Sequence, residues 1–564
     1  MKFETMTRPL RELVRGFNDG AILLPQFQRD FVWKPAKIRN LLDSLLNGFP
    51  IGGFYLWRPP GGTLLDEKPK AFGKRRIVSE FLGYLIDGQQ RLTSLEAAFG
   101  LYTGEDKRGA ELRCYLDLAA PDAERARDTR LFASHAGNKS VARRVKSGGD
   151  STLIPVSKLH DGPNLGLLQD TEHALRHRPG WDAKRAGAAL MRFDRACKML
   201  DQLVPCTTVY DISDREAVEI FGRLNKGGSP LRQGDVRAAE LARGSAVEVL
   251  KSMREFATGE RPQRLGFGFS FAFRALVLFH RESAQFKTLK PDWMDTPGPH
   301  GRSLRDSWRA TERAIDEALS FVDERMGWSR RALLPSANAV IVLAAAFNKA
   351  EFKRNAEAEQ LYRRWLCLTA LRGVFQASVE TTINRFHRAV RESKREPAEA
   401  LVGALKRHES RRIRPDELNG YAQPWGPATQ VMHAWLVGQE ARDWLSRDPV
   451  DVLARGGNPS LPGGELTVHH LFARRVLAAL VEVPDYANRP ANYALLSRST
   501  NSEFRDKPPD EVLATLTPDQ RKLAATQFFG AAAGDRLKPD RYEEFCQWRA
   551  GRLAESINDW LGLD

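Results

Sequence analysis

The segment FLGYLIDGQQRLTSLEAAF, residues 81–99, contains the pattern that decides the fold of the N-terminal part of the chain. Its first six residues form an apolar run of strand length, which stops at the turn signal Asp87-Gly88. The residues that then recur at helical spacing are Leu92, Leu95, Ala98 and Phe99. The segment therefore predicts a strand, a tight turn and an amphipathic helix.

A strand–turn–helix junction of this kind can bind an anion, because the first N–H groups of a helix have no partner within it. Arg91 adds a guanidinium suited to phosphate, and Asp87 could hold a metal ion or orient water. Lys226-Gly227-Gly228 offers a second basic loop. The alternative is structural, with Asp87 capping the helix and Arg91 pairing with a carboxylate. The residues alone favour that alternative.

Two further helices are predicted in this region. The first has a core-facing stripe made of Ile38, Leu41, Leu42, Leu45, Leu46 and Phe49. The second begins at a capping box formed by Ser213 and Glu216, and it ends before the loop at residues 225–230.

Three blocks of this region closely resemble the DUF262 family of bacterial anti-phage and modification-dependent restriction proteins, known for a DGQQR motif. They are LPQFQRDFVWKPAKIRNLLDSLLNGFPIGGFYLW (24–57), YLIDGQQRLTSL (84–95) and EIFGRLNKGGSPLRQGDVRAAEL (219–241), in the family's order. The resemblance implies a ParB- and sulfiredoxin-like fold that binds or hydrolyses a nucleoside triphosphate. The residues to which it assigns nucleotide or phosphate handling are Gln28, Arg29, Asp87, Gly88, Gln89, Gln90, Arg91 and Asn225, with Lys226 beside them.

The length of the chain and the change in its secondary-structure patterns along the sequence predict an α+β multidomain protein. The 564 residues exceed one compact core. We expect a nucleotide-handling domain at 1–244, a helical region at 245–455 and a C-terminal domain at 456–564 after a Gly/Pro-rich linker. Arg/Trp clusters such as residues 363–365 could follow a DNA backbone, although solvated helix faces with a buried Trp are the commoner case.

Composition points to a soluble protein with a polyanionic partner. The formal net charge is +15, which favours a nucleic acid, although a basic inert surface is the alternative. The 5 Cys include no C-x-x-C pair, so neither a disulfide framework nor a Cys-ligated zinc site is expected and a reducing cytoplasm fits. The best apolar run, Ala339–Phe347, is too short to span a membrane and predicts a buried helix.

The C-terminal segment Glu465–Phe472 alternates polar and apolar residues and then presents His469 and His470. An adjacent His pair alone means little. However, Asn492 opens an apolar strand, and Asn501 lies where a new helix begins. Strand, strand and helix with His, Asn and Asn at the joints is the layout of a ββα-metal finger.

These residue types suit phosphodiester hydrolysis, because a histidine of near-neutral pKa can activate water and one divalent cation can stabilise the phosphate. The segment resembles HNH endonucleases, particularly the DUF1524-like domains attached to DUF262 proteins. That resemblance implies His470 as general base, His469 and Asn501 as metal ligands, and Asn492 as the residue that braces the loop and orients the base. The basic residue nearest the scissile phosphate would be Lys507 or Arg505.

His469 departs from the Asp that many relatives carry at the first metal position. Imidazole is a softer ligand than carboxylate, so the preference moves from Mg²⁺ toward Mn²⁺, Ni²⁺ or Zn²⁺.

Two functions from different classes follow. The first is a cytoplasmic, nucleotide-regulated and metal-dependent DNA endonuclease that cleaves foreign or modified double-stranded phage DNA. The second is a ParB-like, nucleotide-switched DNA-binding or sensor protein without cleavage. A third arrangement places the nuclease in the N-terminal domain itself. The sequence leaves open the recognised modification, the nucleotide and whether the protein forms a homo-oligomer.

Overall fold

The computed structural model describes residues 2–25, 28, 31, 33–60, 81–99, 114–119, 132–134, 152–160, 165–224, 246–286, 289, 293–456, 464–478 and 486–563. The chain divides into two compact units, Met1–Arg243 and Gly244–Asp564. All five cysteines are buried and form no disulfide, as predicted. Within the described ranges, no helix is long and apolar enough to cross a membrane.

The described part of the first unit contains two sheets. Its strands are β1 (Lys2–Pro9), β2 (Ile22–Leu23), β3 (Phe54–Arg58), β4 (Gly83–Asp87), β5 (Cys114–Asp117), β6 (Phe132–Ser134), β7 (Leu153–Pro155) and β8 (Leu203–Tyr210). Five strands form a mixed sheet in the order β1-β8-β3-β4-β2, in which β3 pairs parallel with β8 and antiparallel with β4. The other three form an antiparallel sheet in the order β6-β5-β7.

Helices cover both faces of the five-stranded sheet. They are α1 (Leu10–Asp19), α2 (Pro35–Leu46), α3 (Gln89–Ala98), α4 (Leu165–Arg176), α5 (Ala183–Cys197) and α6 (Asp214–Leu224), with 3-10 turns at Val156–Leu159 and Met199–Asp201. The larger core joins α1, α2, α3 and α5 to the sheet. A smaller cluster around Trp57, Tyr84 and Phe221 joins α6 to the opposite face. Leu85 of β4 belongs to the larger core and Tyr84 to the smaller cluster, so this strand is buried on both faces.

The predicted elements of this unit are found, with one correction. The apolar run before Asp87 forms β4, and the helical stripe of α3 is buried. Glu216 and Ser213 form the predicted capping box, because Glu216 Oε2 accepts from the Ser213 N–H at 2.8 Å. Phe49, which we expected on the buried face of α2, is 60% exposed. The helix ends at Leu46, so the periodicity no longer applies to Phe49.

The described part of the second unit is mainly helical and has one two-stranded sheet. The strands are β9 (Leu466–His470) and β10 (Tyr493–Ser497). Its first helices are α7 (Ala246–Thr258), α8 (Glu260–Leu265), α9 (Phe269–Arg281), α10 (Leu304–Glu324), α11 (Ala337–Lys349), α12 (Ala356–Leu371), α13 (Val379–Glu392), α14 (Pro397–Gly403), α15 (Arg407–Ser410), α16 (Pro415–Asn419), α17 (Pro427–Gly438) and α18 (Val450–Ala454). The remaining helices are α19 (Arg474–Ala478), α20 (Arg498–Phe504), α21 (Pro509–Thr515), α22 (Pro518–Ala525) and α23 (Tyr542–Leu561). Four 3-10 turns lie at Pro299–Gly301, Pro490–Asn492, Ala531–Leu537 and Pro539–Arg541.

A single hydrophobic core runs through the second unit, across the boundary that we expected between the regions 245–455 and 456–564. Buried residues from Leu265 to Leu563 form one continuous cluster. Trp444 stacks on Phe529 with ring centroids 5.0 Å apart, so the helical region and the C-terminal residues share their apolar surface.

Candidate active site

The hairpin of β9 and β10, followed directly by α20, positions the C-terminal candidate residues. The strands are antiparallel, with His470 opposite Tyr493 and His469 opposite Ala494. Successive side chains of a strand point to opposite faces, so the two histidines face different surroundings. Ser497 caps α20 by accepting from the Thr500 N–H at 3.1 Å, which fixes the helix against the end of β10. The predicted strand, strand and helix are thus present.

His469 lies in a hydrogen-bond chain that defines its tautomer. The Thr467 hydroxyl donates to the Leu496 carbonyl at 3.0 Å, so it accepts from Asn501 Nδ2 at 3.1 Å. Asn501 therefore turns its Oδ1 toward His469 Nδ1, 2.7 Å away. Nδ1 must carry the proton, which leaves the lone pair on Nε2.

Burial lowers the pKa of His469 to about 4, although the hydrogen bond to Asn501 acts in the opposite direction. The ring is only 3% exposed, so water cannot compensate for a charge there. His469 is consequently neutral near pH 7, which is the form that binds a metal ion.

His470 is held in the opposite tautomer. Asn488 Oδ1 accepts a hydrogen bond from the Arg474 guanidinium at 2.8 Å and lies 3.0 Å from His470 Nε2. A guanidinium can only donate, so this amide atom is an acceptor and His470 Nε2 must carry the proton. The lone pair is then on Nδ1. Burial lowers the pKa of His470, as does Arg474, against the effect of the Asn488 hydrogen bond.

Asn492 braces the chain around the histidines. It is fully buried, and its Oδ1 accepts from the Phe472 N–H at 2.8 Å. Its Nδ2 donates to the carbonyls of Phe472 and Ala487 at 3.1 and 3.0 Å. Asn492 therefore joins the end of β9 to the start of β10 and touches neither histidine in the described hydrogen bonds. Its position is that of a residue that shapes the loop.

Buried polar side chains support β10 from outside the hairpin. Gln527 bonds both the N–H and the carbonyl of Leu495, at 3.0 and 3.1 Å. Asp443 accepts from the Ser497 N–H at 2.7 Å. Arg549, fully buried, donates to the carbonyls of Ala491, Tyr493 and Gln527 at distances from 2.7 to 2.9 Å. Side chains thus provide hydrogen-bond partners for the backbone groups on the edge of β10 that does not face β9.

Lys507 is engaged elsewhere. Its Nζ forms an ion pair with Glu503 Oε1 at 3.1 Å, one turn apart along the chain. This exposed pair lies at the far end of α20, and no described contact joins it to His470 or Asn501.

The donor set for a metal ion is small. Within the described part of the chain, no group of three or more His, Cys, Asp or Glu side chains could hold one. His469 Nδ1 and Asn501 Oδ1, which lie 2.7 Å apart, are two adjacent neutral ligand atoms once a metal ion replaces the Nδ1 proton, and they suit a borderline transition-metal ion better than Mg²⁺. Such a site needs water or phosphate oxygens for its remaining positions.

In the first unit, Arg91 acts as an internal clamp. Its guanidinium donates to the carbonyls of Ile51 and Gly53 at 2.7 and 2.8 Å and to Asp87 Oδ2 at 2.9 Å. The group also lies 4.6 Å from the centre of the Phe54 ring, and burial lowers its pKa. The structure therefore joins Asp87 and Arg91 as an ion pair, which agrees with the structural alternative.

The other residues of the motif are also buried. Gln28 Nε2 donates to the carbonyls of Leu85 and Ile86 at 2.7 and 2.6 Å and so extends the sheet beyond β2. Gly88 has φ of 106°, and a Cβ there would meet the Phe54 ring at 2.3 Å, so only glycine fits. Gln89 and Gln90 are 5% and 7% exposed. Arg29, Asn225 and Lys226 lie outside the described residues.

The Arg/Trp cluster of α12 is structural. Trp365 is fully buried, whereas Arg364 Nε donates to the Leu561 carbonyl at 2.8 Å at the end of α23. Arg363 lies 3.6 Å from Glu359. The buried Trp365 agrees with the commoner case, whereas Arg364 joins α12 to the end of α23.

Comparison with known proteins identifies the first unit. Residues 10–242 match the family model described as the N-terminal domain of the GmrSD restriction endonuclease. An uncharacterised protein of Methanocaldococcus jannaschii is 35% identical over 100 residues, which are 17% of this chain and 17% of that protein. The chain thus aligns with about a sixth of that relative's length. Residues 10–242 belong to the GmrSD N-terminal domain family, the DUF262 type that the three sequence blocks resemble.

Proposed function

We propose that this protein is a metal-dependent DNA endonuclease of the restriction type, with its active site on the hairpin of the second unit. The observation that carries the proposal is the tautomer of His470. Asn488 Oδ1 accepts from both Arg474 and His470, so His470 presents an unprotonated Nδ1 on a neutral ring. A neutral, half-buried and oriented imidazole suits a general base. The family of the first unit and the net charge of +15 agree with a DNA substrate.

The proposed reaction is hydrolysis of one phosphodiester bond. His470 Nδ1 takes a proton from a water molecule as the water oxygen bonds to phosphorus. The bond from phosphorus to the 3′ oxygen breaks, and that oxygen leaves with a proton from solvent. The products are a 5′-phosphate and a 3′-hydroxyl. The imidazolium then returns its proton to solvent, so the protein is unchanged after each turnover.

His469 and Asn501 are the residues that would hold the divalent ion. When bound, the ion supplies positive charge for the phosphate and the leaving oxygen. The ligands themselves favour Mn²⁺, Ni²⁺ or Zn²⁺ over Mg²⁺. In this proposal the hairpin with α20 is an HNH-type ββα-metal finger, and the first unit has a ParB- and sulfiredoxin-like fold.

We expect His469→Ala and Asn501→Ala each to raise the metal concentration for half-maximal DNA cleavage by about tenfold or more, because each removes a ligand but leaves the base. Isothermal titration with Mn²⁺ and metal titrations of plasmid cleavage measure this. Ser502→Ala, an exposed neighbour on α20, is the control. If both ligand variants respond to the metal as the wild type does, the ion binds elsewhere.

We also propose that the first unit binds a nucleoside triphosphate and regulates cleavage of foreign or modified phage DNA. This rests on the family of residues 10–242 and on the helix N-terminus that follows Asp87. Arg91 already donates to two backbone carbonyls. We therefore expect Asp87 and the first-turn N–H groups of α3, rather than Arg91, to contact the nucleotide or its metal ion.

Asp87→Asn should weaken nucleotide binding about tenfold without altering the hairpin, because it removes the carboxylate that would hold the divalent ion accompanying the phosphates. Arg91→Gln should in addition lower the stability of the first unit, since the clamp is lost. The matched control is Glu219→Gln. It breaks an exposed ion pair with Arg223, whose partners are four residues apart in sequence, as Asp87 and Arg91 are. Nucleotide binding, hydrolysis and plasmid cleavage are measured together, and the sign of any change in cleavage shows whether nucleotide activates or restrains it. Normal nucleotide binding and turnover in both variants would make Asp87 and Arg91 structural only.

One observation favours the second function, a nucleotide-switched DNA-binding or sensor protein. His469 replaces the carboxylate of related metal sites, so the donor set described above contains no charged ligand. If the wild type binds DNA but cleaves none with Mn²⁺, Ni²⁺, Zn²⁺ or Mg²⁺, this second function is the better account.

A further inference from the structure

Arg474 stands beside the candidate base. It is the first residue of α19, and it is exposed. One of its nitrogens donates to Asn488 Oδ1 at 2.8 Å, and the same oxygen lies 3.0 Å from His470 Nε2. Because both bonds share one atom, that guanidinium nitrogen and the imidazole nitrogen are less than about 6 Å apart. Asn488 thereby fixes an arginine and the base in one arrangement.

The ionic contacts of Arg474 differ from those of Arg489 and Arg498. Among the described residues, no carboxylate lies within ion-pair distance of it, whereas two other arginines near the hairpin have such a partner. Arg498 pairs with Glu465, and Arg489 pairs with Glu543. An exposed guanidinium that uses one donor on an amide keeps others available for an anion.

Lys507, which the sequence favoured as the phosphate contact, is a weaker candidate. It is paired with Glu503, and binding a phosphate would require breaking that pair. Arg474 needs no such exchange, and a planar guanidinium can bind two phosphate oxygens at once.

We infer that Arg474 is the residue that binds a backbone phosphate of DNA at the His470 site, and that Asn488 is a positioning residue that aligns this contact with the base. The inference rests on the proposed endonuclease function and adds to it the group that holds the substrate. The phosphate lies against the free nitrogens of Arg474, and the shared amide oxygen keeps the guanidinium near the imidazole.

The experiment compares Arg474→Gln with Arg475→Gln, since Arg475 is also exposed and has no ion-pair partner among the described residues. Binding of a fluorescein-labelled 20-base-pair duplex is measured by anisotropy from 50 to 300 mM NaCl without metal. Cleavage of supercoiled plasmid and of unmodified and base-modified phage DNAs is measured with Mn²⁺. Circular dichroism confirms that each variant is folded.

For Arg474→Gln we expect the slope of log K against log [NaCl] to fall in magnitude by about one relative to Arg475→Gln. We expect kcat/KM to fall about 100-fold, with Arg475→Gln within about threefold of wild type. Arg474→Lys should restore the salt slope but only part of the rate, because it keeps the charge and loses the paired geometry. Asn488→Ala should lower kcat while leaving the salt slope unchanged.

Equal salt slopes in Arg474→Gln and Arg475→Gln would overturn the inference, whatever the cleavage result. If the wild type cleaves no DNA but the slope of Arg474→Gln falls as expected, Arg474 is a phosphate contact of a binding protein and only the endonuclease proposal fails. If the wild type cleaves and Arg474→Gln cleaves equally well with the wild-type slope, only Arg474 has been assigned wrongly.

Discussion

His470→Ala is expected to reduce DNA cleavage by about 10²–10⁴-fold, the usual cost of losing a general base. His470 ends β9 and is partly exposed, and its polar contact is to Asn488. Removal of the ring should therefore leave the fold, the affinity for DNA and the binding of nucleotide close to those of the wild type. The loss should appear in kcat, because the base acts only as the reaction proceeds.

The control for this variant is His408→Ala, which removes an exposed imidazole of the same unit. Single-turnover cleavage of plasmid DNA, with protein in excess, separates the chemical step from binding. If His470→Ala cleaves as fast as the control, the hairpin is not the active site. The third arrangement, a nuclease in the first unit, would then be the one to test.

Arg549→Met should destabilise the second unit by about 3–5 kcal/mol. The guanidinium of Arg549 is fully buried and donates to three carbonyls, those of Ala491, Tyr493 and Gln527. Methionine fills much of the same volume but removes the hydrogen-bond donor to all three carbonyls. Burial also lowers the pKa of Arg549 to about 9, which reflects the cost of enclosing a charge that only carbonyl dipoles stabilise.

Urea unfolding followed by tryptophan fluorescence measures this change. Arg552→Met, on the exposed side of the same helix and paired with Glu555, should alter stability by less than about 0.5 kcal/mol. An Arg549→Met protein that unfolds at the same urea concentration as Arg552→Met would show that the carbonyl contacts contribute little. Because two of those carbonyls flank Asn492, we also expect the loop around the histidines to lose its order.

Much of the local structure could be predicted from the sequence. The strand and helix around Asp87, the capping box at Ser213 and the strand from Tyr493 follow from short-range patterns, and the structure has all of them. Such patterns depend on the chain nearby. The extent of the hydrophobic core of the second unit could not be predicted from such patterns. It depends on contacts between segments far apart in the sequence, such as that of Trp444 with Phe529.

The candidate site was predicted only in part. His469, His470, Asn492 and Asn501 stand out by type and spacing, and the structure groups them around one hairpin. Asn488 and Arg474 were missed. Neither belongs to a spacing pattern, and their role depends on one shared hydrogen-bond acceptor. A useful signal was the second asparagine four residues before Asn492, on the same loop.

Arg91 stands out in the sequence, but its role could not be predicted from it. A guanidinium after a strand–turn junction indicates phosphate binding or internal pairing equally well, because both need the same donors. The structure has the carbonyls of Ile51 and Gly53 within reach, and they come from a segment far from Arg91 in sequence. Only the folded chain shows where those acceptors lie.

The central claim is that the hairpin of the second unit hydrolyses DNA. The most direct measurement incubates the full-length protein with unmodified and base-modified phage DNAs, with Mn²⁺, Ni²⁺, Zn²⁺, Mg²⁺ or EDTA, in the presence and absence of each nucleoside triphosphate. The ends of any fragments are then identified by ligation and by labelling with polynucleotide kinase. We predict metal-dependent fragments that carry a 5′-phosphate and a 3′-hydroxyl on at least one DNA and that are absent with His470→Ala. Intact DNA under every condition, or equal cleavage by His470→Ala, would contradict the claim.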